Sequence, residues 1–271
     1  MYESYWKCSR KPFAHNNDPA GFYRSKTHQA ALLRLKYGID NFDGPALIMG
    51  MSGTGKSSLV RVFAAEHSTL RPFVHVMFPA LQCDELLRLI AGELSLLPMS
   101  AKSGSETALR EIQRSLRQFT AKNQHPLICF DDAHLLSDDA LQFVIQPLLN
   151  MVESDSMIRL AILLVGQPVL SSRLRKLGEL GERLAVTTPI LGFTAAETAD
   201  YVRTCLNNSG AKSSIFSTTA LQKLYEVTGG NPRRLNRLCD MALLVGYAEQ
   251  LSEITDEQIA AVSSELTPAA A

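Results

Sequence analysis

The sequence predicts an α/β fold, a parallel sheet of about five strands covered by helices on both faces, followed by a small all-helical domain. Three observations predict it. Short apolar runs alternate with helix-period stretches from residue 44 to about 190, the signature of βαβ units. After Gly192 four helix-like segments follow one another with no strand candidate among them. A glycine-rich loop also separates the first strand from the helix behind it.

The elements follow in order. The chain is aromatic-rich and loop-like to about Gly21, and Ala30, Leu33 and Tyr37 then fall at the spacing of an amphipathic helix. Gly44-Pro45 breaks it, and Ala46–Met49 is a short buried strand. A helix over Ser57–Glu66 follows, then a strand over Phe73–Phe78 that Pro79 stops. Helices are predicted for Asp84–Leu97 and Glu106–Ala121, joined by a Ser-rich connector; Leu109, Ile112, Leu116 and Phe119 share one face of the second. Leu127–Asp131 reads as a strand, Asp138–Val152 as a helix, and Ile158–Val165 and Ala185–Thr188 as strands. The closing helices are Ala195–Asn208, Thr218–Thr228, Pro232–Ala248 and Asp256–Ser264. The expected divisions are an N-terminal segment, residues 1–43, an αβα domain, 44–190, a helical domain, 191–266, and a disordered tail, 267–271.

Composition narrows the class. At 46% hydrophobic and 20% charged residues, the 271-residue chain has ordinary globular composition. Lys plus Arg and Asp plus Glu are both 27, so bulk charge does not select nucleic acid, although local basic patches can. No apolar run reaches the ~18 residues of a membrane helix, and the N-terminus lacks a signal-peptide pattern. Cys8, Cys83, Cys129, Cys205 and Cys239 are scattered and never spaced C-x-x-C, the pattern of reduced thiols packed as small hydrophobes. A cytoplasmic protein with no membrane insertion by this chain is expected.

The loop Gly50-Met51-Ser52-Gly53-Thr54-Gly55-Lys56-Ser57 fits G-x-x-x-x-G-K-[ST], with Ser58 continuing into the helix. Glycines let successive backbone N–H groups turn inward onto phosphate oxygens. Lys56 supplies charge at the β- and γ-phosphates, and Ser57 a hydroxyl for Mg²⁺. ATP with Mg²⁺ is the expected ligand. Downstream, the apolar run Leu127–Phe130 ends in Asp131-Asp132. In a nucleotide site the first acid holds Mg²⁺ and the second polarises the attacking water; two acids capping the next helix are the plainer alternative. His134 follows the pair, where a structural role is the first expectation. Gln167, after the fourth strand, is placed either to sense the γ-phosphate or to occupy a surface turn. Arg173, Arg175 and Lys176 cluster behind it, and Arg183 precedes the last strand. In Gly229-Gly230-Asn231-Pro232-Arg233-Arg234, Arg233 is fixed near a helix N-terminus, where a cation opposes the dipole unless an anion is present.

With these residues the sequence resembles the AAA+ ATPases, in particular those of the general secretion pathway protein A type (ExeA/GspA) and their TniB-kind relatives among transposition ATPases. The resemblance is carried by Lys11-Pro12-Phe13, the stretch from Tyr23 to Ala31, the loop Gly50–Ser57, Phe130-Asp131-Asp132-Ala133-His134, Leu164–Pro168 and Thr228–Asp240. It implies a P-loop NTPase sheet, a helical lid and a homo-oligomer with ATP at subunit interfaces. It makes Asp131 the Walker B magnesium acid, Asp132 the position of the catalytic acid, Gln167 sensor 1, Arg233 sensor 2 and Arg183 the arginine finger. It places the N-terminal segment, with Phe13 and Tyr23, near the adenine. Asp132 stands where many relatives carry Glu, which favours binding over rapid hydrolysis. The full secretion protein continues past the lid into a membrane span and a peptidoglycan-binding region. Their absence from this sequence favours double-stranded DNA over a secretion apparatus as client; a transposase or a secretion partner is the protein partner the resemblance implies. The alternative function is a nucleotide-gated scaffold, or a secretion-pathway accessory, with little hydrolysis.

Overall fold

The computed structural model describes residues 1–14, 19–41 and 44–266. The expected tail, 267–271, lies outside them. By contacts the chain divides into two units. One comprises Lys26–Ser52 and Lys56–Ile190; the other comprises Met1–Ser25, Gly53–Gly55 and the residues from Leu191 onward. The division of the N-terminal segment therefore runs between Ser25 and Lys26.

The first unit is an α/β layer structure. Its strands are β1 (Ala46–Met49), β2 (Phe73–Val76), β3 (Leu127–Phe130), β4 (Ala161–Gly166) and β5 (Val186–Pro189). All neighbours pair in parallel, in the order β2-β3-β4-β1-β5. Every residue of β3 and β4 is buried, as expected for central strands covered on both faces, whereas the edge strands β2 and β5 mix buried and more exposed positions. Period-2 alternation sorts the side chains. Leu47, Val74, Val76, Ile128, Phe130, Ile162 and Leu164 join one apolar cluster. Helices α3 (Cys83–Ser95) and α4 (Ser105–Ala121) contribute Leu86, Ile90, Ile112 and Leu116 to it. The opposite parity, Ile48, Cys129, Leu163 and Val165, is buried as well. At roughly 1.5–3 kcal/mol per large side chain, this double burial is what holds such short strands in place.

Register sets the strand ends that hydropathy alone overextends. β2 stops at Val76 because its partner β3 ends at Phe130, leaving Met77 and Phe78 exposed. β4 begins at Ala161 because Leu127 is where β3 begins, although Ile158 and Leu160 are buried. The continuous helix expected over Asp138–Val152 is instead three pieces: α5 (Asp138–Ala140), a π-helical turn (Leu141–Ile145) and α6 (Gln146–Ser154). Pro147 has no N–H to return to Phe143 and crowds that carbonyl, and the widened turn lies directly before it. The first unit also holds α1 (Lys26–Asn41), which packs on β1 and β5, and α2 (Lys56–Glu66). Two helices absent from the sequence reading, α7 (Val169–Lys176) and α8 (Glu179–Glu182), complete it.

The second unit is built on α9 (Ala195–Asn208), α10 (Thr218–Thr228), α11 (Pro232–Ala248) and α12 (Asp256–Leu266). Side-chain caps start three of them. Thr194 and Glu197 form a reciprocal capping box on α9, Ser217 Oγ accepts from Ala220 N–H on α10, and Asn231 caps α11. The N-terminal residues belong to this core. Tyr2, Trp6, Cys8 and Phe13 are buried with Val202, Leu224, Leu238 and Leu243. Trp6 Nε1 donates to Leu243 O at 2.9 Å, Tyr2 Oη donates to the Asp240 carboxylate, and Tyr5 Oη donates to Leu251 O at 2.7 Å. Gly246 leaves room for the indole, since a Cβ there would lie 2.8 Å from Trp6. No described helix is long and apolar enough to cross a membrane.

Trp6→Ala should therefore destabilise the helical unit by about 3–5 kcal/mol. Urea unfolding followed by far-UV circular dichroism checks it; a midpoint equal to that of the wild type would mean that the N-terminal residues do not anchor there.

Candidate nucleotide site

Three strands of the sheet deliver the site. Met49 is paired with Gly166 and Phe130 with Leu164, so Gly50, Asp131 and Gln167 leave the carboxyl ends of adjacent strands side by side. Gly50 N–H donates to Gly166 O at 3.1 Å and ties β1 to β4 at that edge. The carboxyl edge of a parallel sheet is where ligands of such folds bind.

The loop after β1 uses its glycines for backbone shape. Gly53 and Gly55 have φ of 84° and 92°, which side chains resist. A Cβ on Gly53 would come within 2.7 Å of Asn231 Oδ1 and 2.8 Å of Arg233 Cβ, and Arg233 N–H donates to Gly53 O at 3.3 Å. Met51 and Ser52 are exposed, Thr54 is buried, and Ser57 and Ser58 are half-buried. Lys56 opens α2 and is buried, and its Nζ donates to Gly50 O and Met51 O, both at 2.9 Å. The carbonyls satisfy a charge that would otherwise be costly to bury and hold it inside the loop.

Asp131 is also buried. Its Oδ2 lies 3.3 Å from His75 Nε2, and its Oδ1 accepts from Asp132 N–H at 3.0 Å. Burial by itself pushes this carboxyl up, but hydrogen bonds from His75, Ser57 and the Asp132 N–H outweigh it and hold the group below the usual carboxylate range. A hydroxyl beside an ionised carboxylate is an oxygen donor set that fits Mg²⁺, which takes one or two protein oxygens and fills its octahedron with water and phosphate. Among the described residues no group of three or more His, Cys, Asp or Glu could hold a metal.

Asp132 has φ 48°, in the left-handed region, and its side chain is mostly exposed, with Oδ1 3.9 Å from His134 Nδ1. The Gln167 amide nitrogen lies 3.0 Å from His134 Nε2. Arg173, on α7, braces the turn between them, donating to His134 O at 2.8 Å and Leu136 O at 2.7 Å and pairing with Asp138. Gly166 permits the close fit, since a Cβ there would lie 3.2 Å from His134 N.

The remaining expected residues lie on other elements of the chain. Arg183 is at the opposite edge of the sheet, its carbonyl against Gly44 at the start of β1. Its guanidinium is bound by Glu179 at 2.6 Å, Asn150 at 2.7 Å and Glu153 at 3.3 Å. Arg233 is exposed in the first turn of α11, after Asn231 and Pro232. Tyr23 packs in the helical unit, its ring 5.2 Å from that of Phe193 and 5.4 Å from that of Tyr201, and its Oη donates to Asp200 at 2.9 Å. Sequence reading missed His75 and the bracing role of Arg173. His75 meets Asp131 only because β2 pairs with β3, which no local pattern announces.

A family model described as "AAA domain" matches residues 41–174. Residues 41–174 are thus similar to the AAA domains. It is 29% identical over 269 residues to general secretion pathway protein A of Aeromonas hydrophila, covering 98% of this chain and 49% of that protein. The chain thus spans about half the length of the curated relative it matches. Solved structures share the fold of this chain. Cdc6p from Pyrobaculum aerophilum has a TM-score of 0.74 at 19% identity, covering 96% of this chain and 72% of that one. The Aeropyrum pernix ORC2 protein, in its ADPNP-ADP complexes, has a TM-score of 0.71 at 16% identity, covering 95% and 72%. The Aeropyrum pernix ORC1 protein in complex with DNA has a TM-score of 0.65 at 13% identity, covering 90% and 65%. The fold is that of the AAA+ P-loop ATPases.

The depressed Asp131 pKa has a sign that can be measured. Its contribution to stability is present above the unfolded value of about 3.9 and is lost as pH falls through the lower folded value. The difference in urea midpoint between wild type and Asp131→Asn should shrink between about pH 5 and pH 2; a constant difference would mean that the ion is not selectively held.

Proposed function

We propose that the chain binds Mg-ATP through its AAA domain and hydrolyses it where the subunits of a homo-oligomer meet, in the cytoplasm. The cycle drives assembly or remodelling of a macromolecular complex, with double-stranded DNA as the favoured client. The observation that carries this reading is the convergence of the loop Gly50–Ser58, Asp131 and Gln167 on the ends of three adjacent strands.

In this reading the loop N–H groups and Lys56 bind the phosphates, and Lys56 leaves its carbonyl partners for them. Ser57 and Asp131 hold Mg²⁺, which neutralises phosphate charge when bound. Asp132 accepts a hydrogen bond from the attacking water and orients it, and Gln167 meets the γ-phosphate. Arg183, at the far edge of its own sheet, acts on a neighbour's nucleotide after release from Glu153 and Glu179. A finger of that kind is worth about 10³–10⁵ in turnover. In the same reading Arg233 takes the sensor 2 role and Tyr23 the adenine-side role.

Support for DNA comes from the fold neighbours, among them the Aeropyrum ORC1 protein in complex with DNA and Drosophila ORC bound to DNA. The likeness to general secretion pathway protein A supports a secretion client instead. The short arm of Asp132 and the clasp on Arg183 support a second reading, a nucleotide-gated scaffold with little hydrolysis.

Steady-state ATP turnover with Mg²⁺, with and without double-stranded DNA, separates these. Turnover that DNA stimulates, and that Lys56→Ala lowers to background, is the expected result. Wild-type turnover near background that Asp132→Glu raises many-fold would replace the motor with the scaffold.

A further inference from the structure

We propose that His134 is a positioning residue that couples Asp132 to Gln167 through its two ring nitrogens. The proposal rests on the reading above, in which Asp132 orients water and Gln167 meets the γ-phosphate. Its ring is largely enclosed, with 13% of the side chain exposed. The backbone is fixed on two sides: Arg173 holds the His134 carbonyl, and Gly166 lets the turn lie against the end of β4. The ring therefore has little freedom to choose its partners.

Those partners define its protonation geometry. The Gln167 amide nitrogen faces His134 Nε2 at 3.0 Å, and an amide nitrogen only donates, so Nε2 accepts. A neutral ring then carries its proton on Nδ1. That nitrogen is buried and makes no hydrogen bond, and the Asp132 carboxylate lies 3.9 Å away. Asp132 is the partner suited to it, an acceptor on a mostly exposed side chain. A side-chain rotation of roughly 1 Å brings the pair to hydrogen-bond distance. Once made, the bond runs from the Gln167 amide through the imidazole to the Asp132 carboxylate, with Nε2 accepting and Nδ1 donating. The orientation of Asp132 and that of Gln167 are then one variable. This offsets the missing methylene of Asp132, because the carboxylate is held from behind while its second oxygen remains for water.

Two measurements test it. Nitrogen-15 NMR of the nucleotide-free protein, with His134 assigned by the loss of its signals in His134→Gln, should show the proton on Nδ1. The ring signals should move in both Gln167→Leu and Asp132→Asn. A proton on Nε2, or signals indifferent to both substitutions, overturns the proposal. In turnover, His134→Phe keeps ring volume but removes both nitrogens, and should lower kcat about 10–100-fold with KM for ATP unchanged. His134→Gln, which restores an acceptor toward Gln167, should recover part of the loss. The double variant His134→Phe/Gln167→Leu should be no slower than the slower single variant, whereas losses that multiply overturn the coupling. If the wild type does not turn over ATP at all, the function reading fails and the NMR result alone decides the coupling.

Discussion

The candidate site depends on one constraint, the seating of β4 between β1 and β3 in parallel register. That pairing brings the loop after Met49, the acid after Phe130 and the amide after Gly166 to one edge. The three segments are far apart in sequence, and none has a reason to meet another without the sheet. The register is set by burial on both faces. A slip of one residue would turn Ile128 and Phe130 away from their cluster and onto the opposite buried face, which is packed for other side chains. Packing far from any phosphate thus governs where Lys56, Asp131 and Gln167 stand.

At that edge the two buried charges, Lys56 and Asp131, both have partners. Lys56 rests on two carbonyl oxygens, and Asp131 is held by a backbone N–H, an imidazole and a hydroxyl. Asp131 stays ionised because those hydrogen bonds outweigh the cost of its burial. Glycine does a separate job at Gly53 and Gly166, where the backbone must approach Asn231 and His134 closely. The bracing arginine at Arg173 belongs to the same logic, since it satisfies two turn carbonyls and fixes the residue that faces Gln167.

The helical unit is closed by residues from both ends of the chain. Trp6 and Tyr2 fill a core to which α9 to α12 contribute, and Tyr23 joins the cluster of Phe193 and Tyr201. Its helix starts are specified locally by Thr194, Ser217 and Asn231, each a short polar side chain able to satisfy an otherwise unpaired N–H.

Much of this was legible beforehand. Short continuous apolar runs located the five strands, because strands covered on both faces are apolar throughout, and the stretches after Gly192 read as the closing helices. The loop Gly50–Ser57 was legible because phosphate binding needs glycine, lysine and hydroxyl at fixed local spacing. Strand ends, the interruption before Pro147 and helices α7 and α8 were not, since partners and local crowding decide them. The contacts of His75 with Asp131, of His134 with Gln167 and of Arg183 with two glutamates were invisible for the same reason. Each joins residues that are distant in sequence or carry no motif. Sequence determined which chemistry the chain can hold, through spacing along one segment. Tertiary structure alone decided which side chains share it, because strand order and register place them.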